Sequence, residues 1–220
     1  MNPVLKRIIT ALTTAALVVL AIVYLPTKAL PPIFSMVMAL AVIEFALLLK
    51  KKVPLASVRG IVGLLLGFAV ITGGLSALPA SAVLTKSSLW MLYLIAIVKF
   101  SDMGGFAFGM SSAKLMKGGN HKLCPTISPN KSWEGLFGSV FASSVMSCAW
   151  MSFTHFGVGK ALAFGAVAAL VGTFGDLVES KFKRWVGVKD SATFMPAGLG
   201  GFLDMFDSLL FAPAALLPFI

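Results

Sequence analysis

Long apolar stretches alternate with short polar connections along this chain of 220 residues. Each stretch is near the ~20 residues that an α-helix needs to cross the hydrocarbon core of a bilayer. The second half shows none of the ~10-residue alternation of barrel strands, so we predict helices. The expected fold is an all-α, polytopic transmembrane bundle of about seven helices. The apolar segments are roughly 8–25, 29–49, 60–79, 88–109, 135–155, 161–178 and 203–220.

The composition indicates that lipid is the solvent for much of this surface. Hydrophobic residues make up 58% of the chain, charged residues 12%, and the mean hydropathy is +0.96. A soluble domain usually carries about 25% charged residues. The first apolar segment is long for a signal peptide, and Pro26-Thr27-Lys28 is a poor cleavage site. We therefore interpret this segment as a retained helix.

Basic residues are distributed asymmetrically between the two ends of the predicted helices. If the N-terminus is cytoplasmic, 14 of the 18 Lys and Arg residues fall in cytoplasmic segments, as the positive-inside rule requires. The polar loops 110–134 and 179–202 then both face the cytoplasm. This topology accounts for the net charge of +10. Because aromatic residues do not interleave with the basic ones, no nucleic-acid partner is expected. We divide the chain into N-terminal transmembrane helices, 1–98, and a second transmembrane region, 99–220.

Seven of the eight carboxylates fall after residue 100, in or beside the last four predicted helices. A carboxylate at membrane depth is costly unless it is paired, hydrated or bound to metal, so each is a candidate functional group. Asp204 and Asp207 follow Gly200-Gly201 and are spaced to share one helix face. Such oxygen ligands suit Mg²⁺ shared with substrate phosphates. The alternative is a helix start whose acids complement the helix dipole.

Two further acidic positions have the same three-residue spacing. Asp176 and Glu179 lie at a predicted helix C-terminus, where a carboxylate opposes the helix dipole. A cation or a basic partner is therefore expected there, unless the helix end is simply solvated. Asp102 lies three residues from Lys99, and an intramembrane ion pair with no further role is the alternative to a functional site.

Glu44 is the single carboxylate of the first half of the chain. It stands among apolar residues near the basic end of the second predicted helix. We expect its side chain to extend toward Lys50 or Lys51, which would bring the charge to the membrane surface.

Basic residues are interleaved with acids after the sixth predicted helix. Such a cluster alone is typical of a patch that binds anionic lipid. Followed by Gly-Gly and two aspartates, it favours a site for an anionic substrate, because nucleotidyl transfer needs cationic clamps. The sequence has no Gly-x-x-x-x-Gly-Lys-Ser/Thr motif, which excludes a P-loop enzyme. The cluster comprises Lys181, Lys183, Arg184 and Lys189, beside Glu179 and Asp190.

Three ordered motifs stand out: SPNKSWEG at 128–135, ESKFKRWVGVKD at 179–190 and GGFLDMFDS at 200–208. Together with the run from Ser101 to Gly109, they resemble the phosphatidate cytidylyltransferase (CDP-diacylglycerol synthase) family. The resemblance spans roughly residues 99–211. The positions that match its signature are Ser180, Lys183, Arg184, Lys189, Asp190, Pro196, Gly200, Gly201, Asp204 and Asp207.

The resemblance implies an enzyme that converts CTP and phosphatidate to CDP-diacylglycerol and pyrophosphate in phospholipid biosynthesis. It implies a bacterial cytoplasmic membrane, an active site facing the cytoplasm, and contact with bilayer lipid. A homodimer is one expected form of assembly. The implied cofactor is Mg²⁺, with a second cation as an open alternative.

The resemblance also implies a role for individual residues. The residues implied to bind cations are Asp204, Asp207, Asp176, Asp102 and Glu179. The other residues implied to be catalytic are Lys183, Arg184, Lys189 and Asp190. The residues implied to bind substrate are Ser128, Lys131, Glu134, Ser180, Gly200 and Gly201.

The last motif departs from the family signature at two positions. Met205 stands where the family carries Arg, and Leu199 or Gly198 stands near the position of a His. We expect activity despite these changes, because the carboxylates and the basic cluster remain. Two alternatives stay open: a related CTP-dependent enzyme that acts on an isoprenoid lipid, and a non-catalytic membrane protein or transporter.

Overall fold

The computed structural model describes residue 13 and residues 16–116, 119–188 and 201–220. These parts of the chain are helical apart from turns and one antiparallel hairpin, in agreement with a helical bundle. Residues 16–24 are helical and precede a 3-10 turn, Thr27–Ala29. The elements that follow are α1 (Leu30–Lys50), α2 (Val58–Leu84), α3 (Ser88–Leu115), β1 (Lys122–Cys124), β2 (Ser128–Ser132), α4 (Trp133–Ala149), α5 (Met151–Thr154), α6 (Val158–Val186), α7 (Phe202–Phe206), α8 (Ala212–Leu216) and a 3-10 turn (Leu217–Phe219).

Four helices in the described part of the chain are long and apolar enough to cross a membrane. α4 has 17 residues and packs between α3 and α6. The four long apolar helices indicate that the chain is an integral membrane protein. The count of seven spanning helices and the cytoplasmic N-terminus stay predictions, and most of the segment 8–15 lies outside the described residues. The four candidate spans are Thr27–Lys50, Val58–Leu84, Ser88–Leu115 and Val158–Val186.

Both predicted polar loops begin later than the hydropathy pattern indicates. α3 continues to Leu115, so the predicted loop 110–134 begins as helix and then forms the hairpin. α6 continues to Val186, so the predicted loop 179–202 also begins as helix. Polar side chains end the apolar pattern without ending the helix. α6 ends where Gly187 adopts a φ of 86°, a conformation that glycine accepts without a Cβ clash.

The last apolar segment, 203–220, is not one helix as the hydropathy predicts. It is divided into α7, α8 and the final 3-10 turn. The break follows Asp207, whose Oδ1 accepts the N–H of Ser208 at 2.6 Å. Pro213 then lies in the first turn of α8, where its missing N–H is tolerated. Asp204 therefore lies on a five-residue helix and Asp207 at its end.

Small residues allow α3 and α4 to pack closely. A Cβ on Gly104 would lie 2.4 Å from the carbonyl oxygen of Gly138, a distance that only glycine permits. Ser143 Oγ donates a hydrogen bond to the carbonyl of Ile97 at 2.9 Å. These contacts fix α3, which carries Asp102, against α4.

A second close approach places α7 beside α6. A Cβ on Gly175 would lie 2.6 Å from the carbonyl oxygen of Asp207. α7 also packs against α1. The glycine therefore allows the turn that carries Asp204 and Asp207 to lie next to the turn of α6 that carries Asp176 and Glu179.

Candidate active site

A polar cavity of about 300 Å³ lies between the hairpin and helices α3, α4 and α6. Ser132 ends β2 and caps α4, because its Oγ accepts a backbone N–H from the first turn of that helix at 3.1 Å. The cavity wall contains Ser128 and Lys131 of β2, Asp102 of α3 and Asp176 of α6. Residues from two separate motifs, together with Asp176 of α6, therefore line one cavity.

Lys131 joins the hairpin to α6. Its Nζ donates to Asp176 Oδ2 at 2.7 Å and to the carbonyl of Thr173 at 3.3 Å. The other carboxylate oxygen, Asp176 Oδ1, is buried and has no hydrogen-bond donor among the described residues. A buried oxygen without a donor is costly, so this atom is suited to a ligand that carries positive charge.

Lys99 joins α3 to the turn after α7. Its Nζ lies 3.1 Å from Asp102 Oδ2, which confirms the proximity that the sequence spacing predicts. The same Nζ donates to the carbonyl of Met205 at 3.3 Å and to Ser208 Oγ at 3.2 Å. Ser208 Oγ in turn donates to Asp102 Oδ2 at 2.9 Å. The Asp102–Lys99 pair therefore also fixes the position of the last motif, a contact that the spacing alone does not predict.

Lys183 lies between two carboxylates. Its Nζ is 3.0 Å from Glu179 Oε2 and 2.5 Å from Asp204 Oδ1. All three side chains are largely buried, with exposed fractions of 12% for Lys183, 5% for Glu179 and 18% for Asp204. Because its ammonium group contacts one carboxylate of α6 and one of α7, Lys183 holds these two helices together without a bound phosphate.

Asp207 completes a cluster of carboxylates. It lies within electrostatic range of Asp176, Glu179 and Lys99. We call the acid–lysine cluster the set of five carboxylates and three lysines formed by Asp102, Asp176, Glu179, Asp204, Asp207, Lys99, Lys131 and Lys183. It has two more acidic than basic groups, which favours recruitment of a cation.

The acid–lysine cluster fits a hard cation that binds together with a substrate. Among the described residues, no three His, Cys, Asp or Glu side chains are arranged to hold a metal ion as they stand. The donors are carboxylate oxygens, the ligands that Mg²⁺ prefers, and Mg²⁺ commonly takes its remaining ligands from substrate phosphates and water. The excess of acids and the unpartnered Asp176 Oδ1 both fit such a shared site.

Glu134 is directed to the hairpin and does not line the polar cavity. Its Oε1 lies 2.6 Å from His121 Nδ1, and the backbone N–H of His121 donates to both carboxylate oxygens at 3.2 Å. The hydrogen bond from the His121 side chain lowers the pKa of the Glu134 carboxyl from 4.5 to about 2. The resemblance implies a substrate-binding role for Glu134, whereas these contacts indicate that it positions the hairpin.

The low pKa of Glu134 predicts a pH dependence of stability. A carboxyl whose pKa is lowered by folding stabilises the folded state above its ordinary pKa, and the contribution is lost as the pH falls toward the folded value. We expect the difference in melting temperature between the native protein and Glu134→Gln to be constant above about pH 5 and to shrink between pH 4.5 and about 2. Thermal melting in detergent across this range measures it. A difference that grows on acidification would contradict the assignment.

The other expected site residues are not all brought to the polar cavity. The Arg184 side chain is exposed, and its Nη1 donates to the carbonyl of Val188 at 3.5 Å. Ser180 is partly buried on α6, and Gly201 is buried at the start of α7, where its N–H donates to Asp204 Oδ2 at 2.9 Å. Three of the expected residues lie outside the described residues: Lys189, Asp190 and Gly200.

A second cavity, of about 650 Å³, is mainly apolar and lies between α1, α2, α6 and α7. We call it the apolar groove. Phe45 and Phe182 stack in its wall with ring centroids 4.6 Å apart. Lys52 and Arg59 also line it, as does Glu179 of the acid–lysine cluster. The charge pattern of the sequence places Lys52 and Arg59 among the cytoplasmic basic residues. Their proximity to α6 depends on how the helices pack.

Glu44 does not extend toward Lys50 or Lys51, and this expectation is wrong. Its side chain is fully buried, and Oε2 accepts the N–H of Leu203 at 2.9 Å. Leu203 lies in the first turn of α7, where backbone N–H groups have no partner within the helix. The buried position is favoured because the Leu203 N–H of α7 donates a hydrogen bond to the Glu44 carboxylate. At the membrane surface, water or a lysine would have to supply that donor.

Residues 2–220 match the cytidylyltransferase family. The chain belongs to this family. The match covers nearly the whole chain, including the N-terminal helices for which the motifs alone gave little information.

Curated relatives are named phosphatidate cytidylyltransferase. Over 124 residues, this cytidylyltransferase-family chain is 44% identical to the protein from Staphylococcus aureus (strain COL), 43% to that from Staphylococcus epidermidis (strain ATCC 12228 / FDA PCI 1200) and 41% to that from Staphylococcus saprophyticus. Each match covers 56% of this chain and 45% of the relative. The chain therefore matches less than half the length of these relatives.

Proposed function

We propose that this protein transfers a cytidylyl group from CTP to phosphatidate, giving CDP-diacylglycerol and pyrophosphate. The observation that carries the proposal is the position of the acid–lysine cluster between two unlike cavities. Asp176 lines the polar cavity, and Glu179, one helical turn later, lines the apolar groove. A polar nucleotide and a lipid could therefore approach the same turn of α6 from two sides.

The proposed reaction needs charge neutralisation more than proton transfer. A phosphate oxygen of the lipid forms a bond to the α-phosphorus of CTP, and the bond from that phosphorus to the pyrophosphate oxygen breaks. The lipid phosphate is already an anion, so no strong general base is required. The main tasks of the protein are to align two anionic groups and to stabilise the charge that develops between them.

The residues of the polar cavity have distinct roles in this proposal. Lys131 and Ser128 contact the phosphates and the polar part of the nucleotide. The carboxylates of the acid–lysine cluster hold a divalent cation, for which Mg²⁺ is the proposed identity. When bound, this cation neutralises phosphate charge. Lys99 and Lys183 keep Asp102 and Asp204 in place.

The apolar groove accepts the acyl chains of phosphatidate in this proposal. Its cationic residues, Lys52 and Arg59, attract the lipid phosphate, since Arg presents several donors to phosphate oxygens. Lys189, Arg184 and Asp190 belong to the same proposal on the ground of the sequence motif.

We further propose that the polar cavity faces the cytoplasm, where CTP is found. The distribution of basic residues supports this orientation. Cysteine labelling in intact cells provides the measurement, with Thr126→Cys at the hairpin turn compared with Lys160→Cys at the start of α6. Both native cysteines are replaced in these variants. Labelling of Thr126→Cys from outside the cell would contradict the orientation.

The direct test is an assay of purified protein with radiolabelled CTP, Mg²⁺ and a lipid substrate, followed by lipid extraction. We expect labelled lipid with phosphatidate, little with polyprenyl phosphate, and none with the free alcohol polyprenol. A preference for polyprenyl phosphate would favour an isoprenoid cytidylyltransferase. Nucleotide binding without labelled lipid above a no-enzyme control would favour a non-catalytic protein.

Arg59→Gln is predicted to affect the lipid and not the nucleotide. We expect the KM for phosphatidate in mixed micelles to rise by about tenfold, as for the loss of one charged hydrogen bond. The KM for CTP is expected to stay within twofold, about the scatter of a neutral surface change. Lys50→Gln is the matched control, because Lys50 is exposed and does not line the groove. Equal effects of the two substitutions would indicate a general surface-charge effect.

A further inference from the structure

We propose that Glu44 is a positioning residue of α1 that holds the start of α7 in place, and with it Asp204 and Asp207. This inference rests on the proposed cytidylyl transfer only for its kinetic consequence. Glu44 lies in the first long helix, far along the sequence from every motif that carries the family resemblance. Its partner, Leu203, is 159 residues away along the chain.

Glu44 lies on the buried face of α1. Ala41, three residues before it, and Leu48, four residues after it, are also buried, as expected for one helix face. This helix is strongly apolar, and a carboxylate in such a position is retained only when a specific partner offsets the cost of burial. The contact with the Leu203 N–H at 2.9 Å supplies one such partner.

The contact completes the start of α7. The Gly201 N–H donates to Asp204 Oδ2 at 2.9 Å, and the Leu203 N–H donates to Glu44 Oε2. Carboxylates are favourable at this end of a helix because the free N–H groups carry partial positive charge. Asp204 belongs to α7 itself, whereas Glu44 ties α7 to a separate helix.

α7 depends on such external contacts. It has five residues, and a helix of that length does not form alone in solution. Lys183 of α6 holds Asp204, and Lys99 of α3 holds the Met205 carbonyl. Glu44 of α1 is the third anchor. The position of Asp204 and Asp207 relative to the polar cavity therefore depends on a residue that does not line it.

The decisive substitution is Glu44→Leu. It removes the acceptor of the buried Leu203 N–H, a loss that lowers the stability of the fold, so the melting temperature is measured together with turnover. We expect kcat to fall by about 10–100-fold, as for a small displacement of reacting groups. The KM for CTP should change little, because Ser128 and Lys131 remain. Glu44→Gln keeps an acceptor for Leu203, and we expect it to retain activity within about fivefold.

Leu48→Ala is the matched control. Leu48 shares the buried face of α1 and does not line the groove. This control should lower the melting temperature and leave kcat within about twofold. If Glu44→Leu and Leu48→Ala lose activity in proportion to their loss of stability, Glu44 has a structural role only and the proposal is wrong.

Hydrogen–deuterium exchange gives a readout that does not depend on turnover. Amides of residues 201–210 should exchange faster in Glu44→Leu than in the native protein. In Glu44→Gln and Leu48→Ala, the same amides should exchange at the rates of the native protein. Unchanged exchange in Glu44→Leu would overturn the inference. If the native protein fails to make CDP-diacylglycerol but the exchange pattern is as expected, the proposed function fails and the positioning role of Glu44 stands.

Discussion

Asp207→Asn is expected to abolish lipid labelling, with a loss of turnover of about 10³-fold or more, the upper range for one preorganised electrostatic group. Asp207 is the member of the acid–lysine cluster that lies near both Asp176 and Glu179. Its charge adds to the excess of acids that we propose attracts the cation. Removal of this charge should weaken cation binding and leave the substrate phosphates repelling one another.

The same substitution should not destabilise the fold. Two neighbouring carboxylates repel Asp207, so its neutralisation relieves repulsion, and the melting temperature without Mg²⁺ should be unchanged or higher. The measurements are lipid labelling, thermal melting in detergent, and calorimetric titration with Mg²⁺ and CTP. Asp207→Glu keeps the charge and should retain part of the activity. Near-native turnover of Asp207→Asn at limiting Mg²⁺ would rule out the proposed cation role.

Of the proposed substitutions of charged residues, Lys183→Met is expected to lower the free energy of unfolding the most. Lys183 is 12% exposed and lies within ion-pair distance of Glu179 and Asp204. Its removal leaves two largely buried carboxylates facing each other, and breaking a buried ion pair from one side typically costs about 3–5 kcal/mol. The free energy of unfolding should fall by an amount of this order, and turnover should fall with it.

Lys181→Met is the matched control for Lys183→Met. Lys181 lies on the same helix but is exposed, so its substitution should change the free energy of unfolding by about 0.5 kcal/mol or less. The double variant Lys183→Met, Asp204→Asn should recover part of the lost stability, because one buried charge is removed. Chemical unfolding in mixed micelles measures the three variants. Equal stability of Lys183→Met and Lys181→Met would show that Lys183 does not hold α6 and α7 together.

Hydropathy by itself determined the class of this protein. The apolar segments follow from the requirement that helices cross about 30 Å of hydrocarbon, and four of them are found as long apolar helices in the described part of the chain. The order of the motifs likewise determined the family, which the comparisons confirm. Local spacing also predicted the proximity of Lys99 and Asp102, because residues three apart on a helix are neighbours.

Tertiary structure decided which charges meet. Glu44 contacts α7 instead of Lys50 or Lys51, and Lys183 is held by Asp204, 21 residues away. Tertiary structure also divided the last apolar segment into short helices and formed a groove beside Arg59. Hydropathy reports the solvent that each segment prefers, whereas the partner of a buried charge depends on which helices pack together. That packing is set by many small contacts, such as those at Gly104 and Gly175, where the glycine is visible in the sequence but the helix that packs against it is not.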